Sequence, residues 1–440
     1  MNSKMMHFAV CVSLVSVSVS TCLAVEPEAK KTQEGWPQWH GVNRDGKSLD
    51  TGLLKSWPKE GPKLLWKTTN MGQGYSSMSI GGGLIYTTGR KEKGDPGNPP
   101  SEKKGDIVDH RPGERLFMMG IDMDGKIKWS KDVGQAFNGN HVYTGSRATP
   151  TYDNGDLYLI TGLGLLGRYD AKTGEAKWTR DIQKEFKPLK MRWAFTESIL
   201  IVGDLLIVTP GAEDCFMAAL NKKTGKTVWK SGGFGPAHYT SPIYVEYEGA
   251  AMIINGGGHG IVGIHAKTGK ILWANNFAKG NMANVPTPSF VDGYVFWSVG
   301  YGKGSICLKL TVKGKRVKAA EAWRSKDIGT QYGGWVIHDG HIYGNCGYKW
   351  SCVELKTGKT IWQGKGVRKG SIAFADGMLY LYSMEKGQVI LAPATTKGLK
   401  HTGEFNVSGR GWSRAHPVIT GGRMYLRFDD NLYCFDVKAK

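Results

Sequence analysis

The chain lacks the patterns that mark helical and membrane-spanning proteins. Nowhere in its 440 residues do apolar side chains recur over a long stretch at the spacing of an amphipathic helix. After residue 24 no segment approaches the roughly 18 consecutive apolar residues that a membrane helix requires. Cysteine is scarce, seven in all, and none stands in a Cys-x-x-Cys-His haem-attachment pattern, so any electron acceptor must be a separate protein. Acidic residues are few, 38 against 58 lysines and arginines, for a net charge of +20. That excess favours a polyanionic neighbour such as acidic polysaccharide, anionic lipid headgroups or an acidic redox partner. The basic residues are spread along the chain and form no dense run or helical stripe, so they read as a solvated surface and not as a nucleic-acid interface.

What is present is glycine, 62 residues of it, with 15 tryptophans and 18 tyrosines. Short runs of Val, Ile, Leu, Tyr and Trp are bounded by Gly, Asp or Asn, which predicts many short strands joined by tight turns. The first two dozen residues stand apart. Lys4 precedes an apolar stretch over 8–19 interrupted only by serine, and Leu23-Ala24 offers a small residue before Glu26-Pro27-Glu28. Residues 1–24 therefore read as a signal peptide, which implies export to the periplasm or cell envelope. Cys22 follows a loose lipoprotein-like box, with plain cleavage as the alternative to lipidation. Five cysteines remain beyond it, an odd number that cannot all pair. Cys352 and Cys434 fall where other repeats carry Gly120, Ala219 and Gly263, a small buried slot. Cys346 and Cys352 also flank one hairpin loop, and a disulfide between them is the other reading.

An internal repeat decides the fold. Four segments nearly superimpose: YDAKTGEAKW ending at Trp178, LNKKTGKTVW at Trp229, IHAKTGKILW at Trp273 and VELKTGKTIW at Trp362. A shortened relative ends at Trp129 and a degenerate one at Trp323. Each reads strand, turn, strand; in the full copies Thr-Gly supplies the turn, with glycine free to take positive φ and the tryptophan on an outer strand between neighbouring units. Two further strands precede each turn, giving four per unit. The units span 74–133, 145–182, 192–231, 237–275, 283–325, 331–364 and 369–407, with a last one from near Gly411 to Asp436 that has only three strands. The missing strand stands at the other end of the chain, in Pro62-Lys63-Leu64-Leu65-Trp66-Lys67. Pairing the two removes two exposed sheet edges and closes an all-β, eight-bladed β-propeller over 62–440, after a lead-in at 25–61. A seven-bladed ring, with one unit such as 369–407 misread, is the alternative.

The repeat, together with Trp36-Pro37-Gln38-Trp39-His40-Gly41-Val42-Asn43-Arg44-Asp45-Gly46, resembles the PQQ-like (pyrroloquinoline-quinone-type) propeller family. It is most similar to exported members common in planctomycete-type bacteria, whose mature start reads W-P-Q-[FW]-R-G-x-N-R-D-G; His40 stands where arginine is usual. The family includes quinoprotein alcohol dehydrogenases and the propeller lipoprotein of the outer-membrane β-barrel assembly machinery, so the resemblance marks a fold more sharply than an activity. In the dehydrogenases it implies an adjacent Cys-Cys pair against the quinone PQQ and a calcium ion held by Glu, Asn and Asp. This chain has no Cys-Cys, and Glu197, Asp214 and Asn284 are scattered oxygen donors.

Strand order places the loops between second and third strands, and those between blades, on one face, opposite the Thr-Gly turns. The resemblance implies that ligands are taken on that first face. Two clusters there combine anion-binding, stacking and titratable groups. One holds Arg192, Trp193 and Glu197; the other holds Trp412, Arg414 and His416. With Arg147, the arginines and tryptophans are the candidate ligand-binding residues, and Glu197 and His416 the candidate acid or base. A charged insertion over 90–115 is a candidate lid. These features predict a small-molecule or polysaccharide ligand, a sugar or polyanion, with redox activity as a further possibility. A PQQ-dependent dehydrogenase and a non-catalytic scaffold with an envelope protein partner are the alternatives.

Overall fold

A computed structural model of the chain describes residues 35–92, 114–137, 146–409 and 412–439. The expected signal segment with Cys22 and most of the 90–115 insertion lie outside the described residues. Those residues form eight four-stranded antiparallel sheets, with one short helix, Ile182–Phe186. No helix among them is long and apolar enough to cross a membrane.

The sheets are the blades of a propeller. Their innermost strands are Ser79–Gly81, Thr151–Asp153, Leu200–Val202, Ile243–Tyr247, Ser289–Val291, Trp335–His338, Gly370–Ala375 and Val418–Thr420. In blades one to seven the four strands follow one another along the chain. Blade eight takes its outer strand, Leu64–Thr68, from the N-terminal side, where it pairs antiparallel with Asn431–Asp436. The seven-bladed alternative is excluded, since 369–407 forms a complete blade.

The repeat tryptophans fasten blade to blade. Across its own sheet six of the indoles face a small side chain: Gly120 opposite Trp129, Ala219 opposite Trp229, Gly263 opposite Trp273, and Cys307, Cys352 and Cys434 opposite Trp323, Trp362 and Trp66, while Trp178 faces Arg168. A methyl group on Gly120 or Gly263 would lie 2.3 or 2.2 Å from the facing indole. On its other side the ring meets the turn of the next blade. Gly125, Gly174, Gly225, Gly269 and Gly358 all have φ between 72° and 84° and lie against Trp66, Trp129, Trp178, Trp229 and Trp323. These turns need glycine for their backbone angle and again because a side chain would strike the ring. Five indoles also donate Nε1–H to a carbonyl of the next blade, as Trp229 does to Ala266 at 3.0 Å.

This register answers the cysteine question. Cys352 sits beneath Trp362 and across from Tyr343, whereas Cys346 pairs with Lys349 nearer the hairpin loop and is exposed. The two are separate thiols, and the alternative disulfide is set aside. Cys215, Cys307 and Cys434 are also free, and all three are buried.

The lead-in is part of the propeller's interior. Trp36 exchanges backbone hydrogen bonds with Ile80 in blade one, at 2.9 and 2.7 Å, and the Pro37 carbonyl accepts from Tyr152 in blade two. Arg44 then donates to the carbonyls of Ser198 and Ile199 at 2.6 and 3.0 Å, beside blade three. Gly46 and Ser48 bracket Phe374 of blade seven, and Leu54 reaches Val437 after blade eight. The segment thus crosses the channel and plugs it.

Ring closure between blades eight and one rests on Arg427, which is 1 % exposed. Its guanidinium donates to the Asp429, Ser76, Thr88 and Gly72 carbonyls and to Thr87 Oγ1, at 2.6–3.1 Å. Replacing it leaves several buried acceptors without a donor. Arg427→Met should lower stability by about 3 kcal/mol or more, read as the midpoint of denaturant unfolding. A midpoint within error of the parent would show that the strand pairing alone closes the ring.

Candidate functional site

The plug leaves a cavity of about 220 Å³ above it, at the mouth of the channel on the face opposite the Thr-Gly turns. Its floor is built from the lead-in. Trp39 anchors itself by donating Nε1–H to Thr287 Oγ1 at 3.0 Å, and stacks on His40 with centroids 4.2 Å apart. His40 Nε2 lies 2.9 Å from His416 Nδ1, and His416 Nε2 lies 3.0 Å from the Tyr332 carbonyl. A carbonyl only accepts, so His416 carries its proton on Nε2 and takes the His40 Nε2–H at Nδ1.

The walls are aromatic and cationic. Tyr75, Trp193, Tyr239, Tyr301 and Tyr332 supply rings, and the hydroxyls of Thr196, Ser198, Ser241 and Thr287 border the base. Two guanidinium groups converge on one ring, Arg414 at 4.5 Å and Arg147 at 5.6 Å from the Tyr75 centroid. Arg414 also lies 5.0 Å from the Tyr332 ring. Burial draws Arg147 down to about 10, with Arg414 adding to the shift, which leaves it protonated at neutral pH. Among the described residues no carboxylate side chain lines the cavity. The site is therefore a positive, ring-lined pocket.

The candidates named from sequence separate into two groups. Arg147, Trp193, Arg414 and His416 line the cavity. Arg192 is exposed and stacks on Trp193 at 5.2 Å outside it, and Trp412 lies beside Arg414 at 5.6 Å, also outside. Glu197 is buried beneath the floor, where Oε1 accepts the Thr209 amide at 2.7 Å. Burial pushes its carboxyl up to about 7, against the opposing pull of the Thr209 hydrogen bonds and Arg44. It does not reach the cavity. Trp39, His40, Tyr239 and Tyr301 line the site without having been singled out. Trp39 and His40 stood in view, inside a motif whose polar and aromatic residues no strand requires.

Calcium does not fit the pocket. A hard cation takes about six to eight oxygen ligands, and this lining offers two guanidinium groups and no carboxylate. Asp214 is exposed, while the fully buried Asn284 side chain is committed to Asn281, Gly257 and Ala278. Nor, among the described residues, does a cysteine line the cavity to face a quinone. Among the described residues, no three His, Cys, Asp or Glu side chains gather as a metal site.

Burial lowers both histidines, His40 well below 6.5 and His416 to about 4. Between pH 6.5 and 4 the unfolded chain then binds more protons at residue 416 than the folded one, so stability falls as pH drops through that window. The slope from His416 is about 1.4 kcal/mol per pH unit. Glu197, raised, acts in the opposite sense but equally in parent and variant. His416→Asn should therefore lose less stability than the parent between pH 7 and 5 in denaturant unfolding. Equal losses would contradict a neutral buried imidazole.

Known proteins place this architecture. The family model described as outer membrane protein assembly factor BamB matches residues 119–364, more than half of the chain. Tetrathionate hydrolase of Acidithiobacillus ferrooxidans is 24% identical over 63% of this chain and 48% of its own length. Quinoprotein alcohol dehydrogenase PedH of Pseudomonas putida is 26% identical over 39% of this chain and 30% of its own. The chain thus spans about half or less of the length of these curated relatives. Among solved structures, BamB from Moraxella catarrhalis aligns with a TM-score of 0.57 at 14% identity, covering 86% of this chain and 98% of that one, which shows the shared fold. The tandem Trp-on-Gly blades and the matched model together assign the chain to the PQQ-like propeller family of outer membrane protein assembly factor BamB, which is related to the quinoprotein alcohol dehydrogenases.

Proposed function

We propose that this is an exported binding propeller that holds one acidic sugar ring at the mouth of its channel. The observation that carries the reading is the pair of guanidinium groups, Arg147 and Arg414, set on Tyr75 in a pocket with no carboxylate among its described lining residues. An arginine pair recognises a carboxylate by charge-assisted hydrogen bonds, while tyrosine and tryptophan faces take the apolar face of a sugar. A cavity of about 220 Å³ is smaller than the roughly 300–1,000 Å³ of drug-sized sites, which suits a single ring. Export rests on the N-terminal apolar segment.

A second reading draws on the family match to an outer-membrane assembly factor: a scaffold that docks an envelope protein partner. Exposed Leu64, Leu65, Ile127, Val228 and Ile361 on the outer strands favour it. Co-purification with outer-membrane assembly proteins that survives loss of both arginines would favour this second reading.

Calorimetry with glucuronate and galacturonate against glucose and galactose tests the first. The uronates should bind and the neutral sugars should bind at least tenfold more weakly. Arg147→Ala and Arg414→Ala should each weaken uronate binding by about 10- to 100-fold, corresponding to about 1.5–3 kcal/mol for a charged hydrogen bond. Unchanged affinity in both variants would sink the reading. Addition of PQQ and calcium, with an alcohol panel and a dye acceptor, should give neither dye reduction nor a thermal shift; reduction of the dye would restore the dehydrogenase alternative.

A further inference from the structure

A second, smaller cavity of about 90 Å³ opens beside the first, over blade six, and Tyr301 and Tyr332 border both. It is built differently. Four of its lining positions, Gly329, Gly333, Gly347 and Gly370, carry no side chain, so backbone amides and carbonyls form much of its surface. Its one charged lining residue is Lys369, held at φ 36° by hydrogen bonds of its backbone to Gly347 and Met384. The Lys369 ammonium makes no hydrogen bond or ion pair among the described residues. At the outer edge Arg368 lies 4.6 Å from the ring of Tyr348, which is 55 % exposed. The sequence from the channel outward is therefore two guanidinium groups on a tyrosine, two shared tyrosines, a glycine-walled trough with one lysine, and an arginine–tyrosine pair.

We propose that the ligand is an acidic oligosaccharide, with one uronate unit in the channel pocket and the next in the blade-six trough against Lys369. This rests on the sugar-acid reading of the channel pocket and extends it. Positive groups stand at the first two steps, Arg147 with Arg414 and then Lys369, as a polymer with one negative charge per ring requires, while Arg368 farther out is paired with Glu385 at 3.1 Å; the trough's bare backbone lets a bulky ring approach closely. The excess of basic residues over the whole chain, +20 in net charge, suits a polyanion. Tyr301, 41 % exposed at the junction, supplies a ring face where the two sugar units meet.

Galacturonate oligomers of one, two and three units are the probes. The dimer and trimer should bind about tenfold or more tightly than the monomer, since one further charged contact is of that order. Lys369→Gln should remove the gain with length and leave monomer affinity unchanged; Tyr348→Ala should reduce the gain from two units to three. A thermal melt of each variant checks that the blade remains folded. Equal affinity for all three lengths, or a Lys369→Gln loss that is the same for monomer and trimer, overturns the trough as a subsite while leaving the channel pocket standing. Failure of every length to bind overturns both.

Discussion

Five of the eight junctions between blades are fastened by an indole ring laid against the glycine of the next blade's turn, and much of the molecule follows from that contact. The ring is wide and rigid, so it fixes both the spacing and the angle between adjacent sheets. At six rungs it lies against a small facing side chain within its own sheet, glycine, alanine or cysteine, and at the seventh Trp178 faces Arg168. It also requires the next turn to lack a side chain. These two demands leave little freedom on the Thr-Gly face, which is committed to structure. The opposite face, where the loops do not repeat, is left free for recognition.

Closing such a ring requires a last blade with no exposed edge, and the chain meets this by lending blade eight an N-terminal strand. The lead-in that delivers the strand must first cross the channel. In crossing, it plugs one end with backbone hydrogen bonds to the inner strands and raises a floor of Trp39 and His40 beneath the other. The topology that completes the sheet therefore also sets the depth of the pocket. His40, the departure from arginine in the family motif, meets His416 there, and both imidazoles are kept neutral by burial. A floor of neutral rings beneath two guanidinium groups leaves the pocket's charge to Arg147 and Arg414.

The same scaffold carries assembly factors and dehydrogenases because the fastening contacts and the binding loops lie on opposite faces. What distinguishes this member is the donor set at the channel mouth. Where a calcium–quinone site needs converging oxygen ligands, this pocket presents cations and ring faces. Glu197 remains below the floor, tied to Thr209 and facing the positive field of Arg44.

The fold was legible because its cause is local and repeated. Four near-copies of a strand–turn–strand pattern, with one shortened and one degenerate relative, announce themselves in sequence, and the unpaired strand at 62–67 could be matched to the three-stranded unit by elimination. The small slot at Gly120, Cys352 and Cys434 was legible for the same reason, although only the register named its occupant as the tryptophan of the same sheet. The site was legible only in part. Arg147, Trp193, Arg414 and His416 could be placed on the correct face from strand order, but so could Arg192, Trp412 and Glu197, and nothing in strand order distinguishes a side chain aimed into the channel from one aimed beneath it or out to solvent. The motif put Trp39 and His40 in view but not their place in the site, which depends on a segment some 25 residues ahead of the first blade strand crossing the ring to meet Thr287 and His416. Sequence by itself determined the blades, since seven of the eight are specified by contacts between neighbours along the chain; only the tertiary structure decided the pocket, since its walls come from loops hundreds of residues apart that converge when the ring closes.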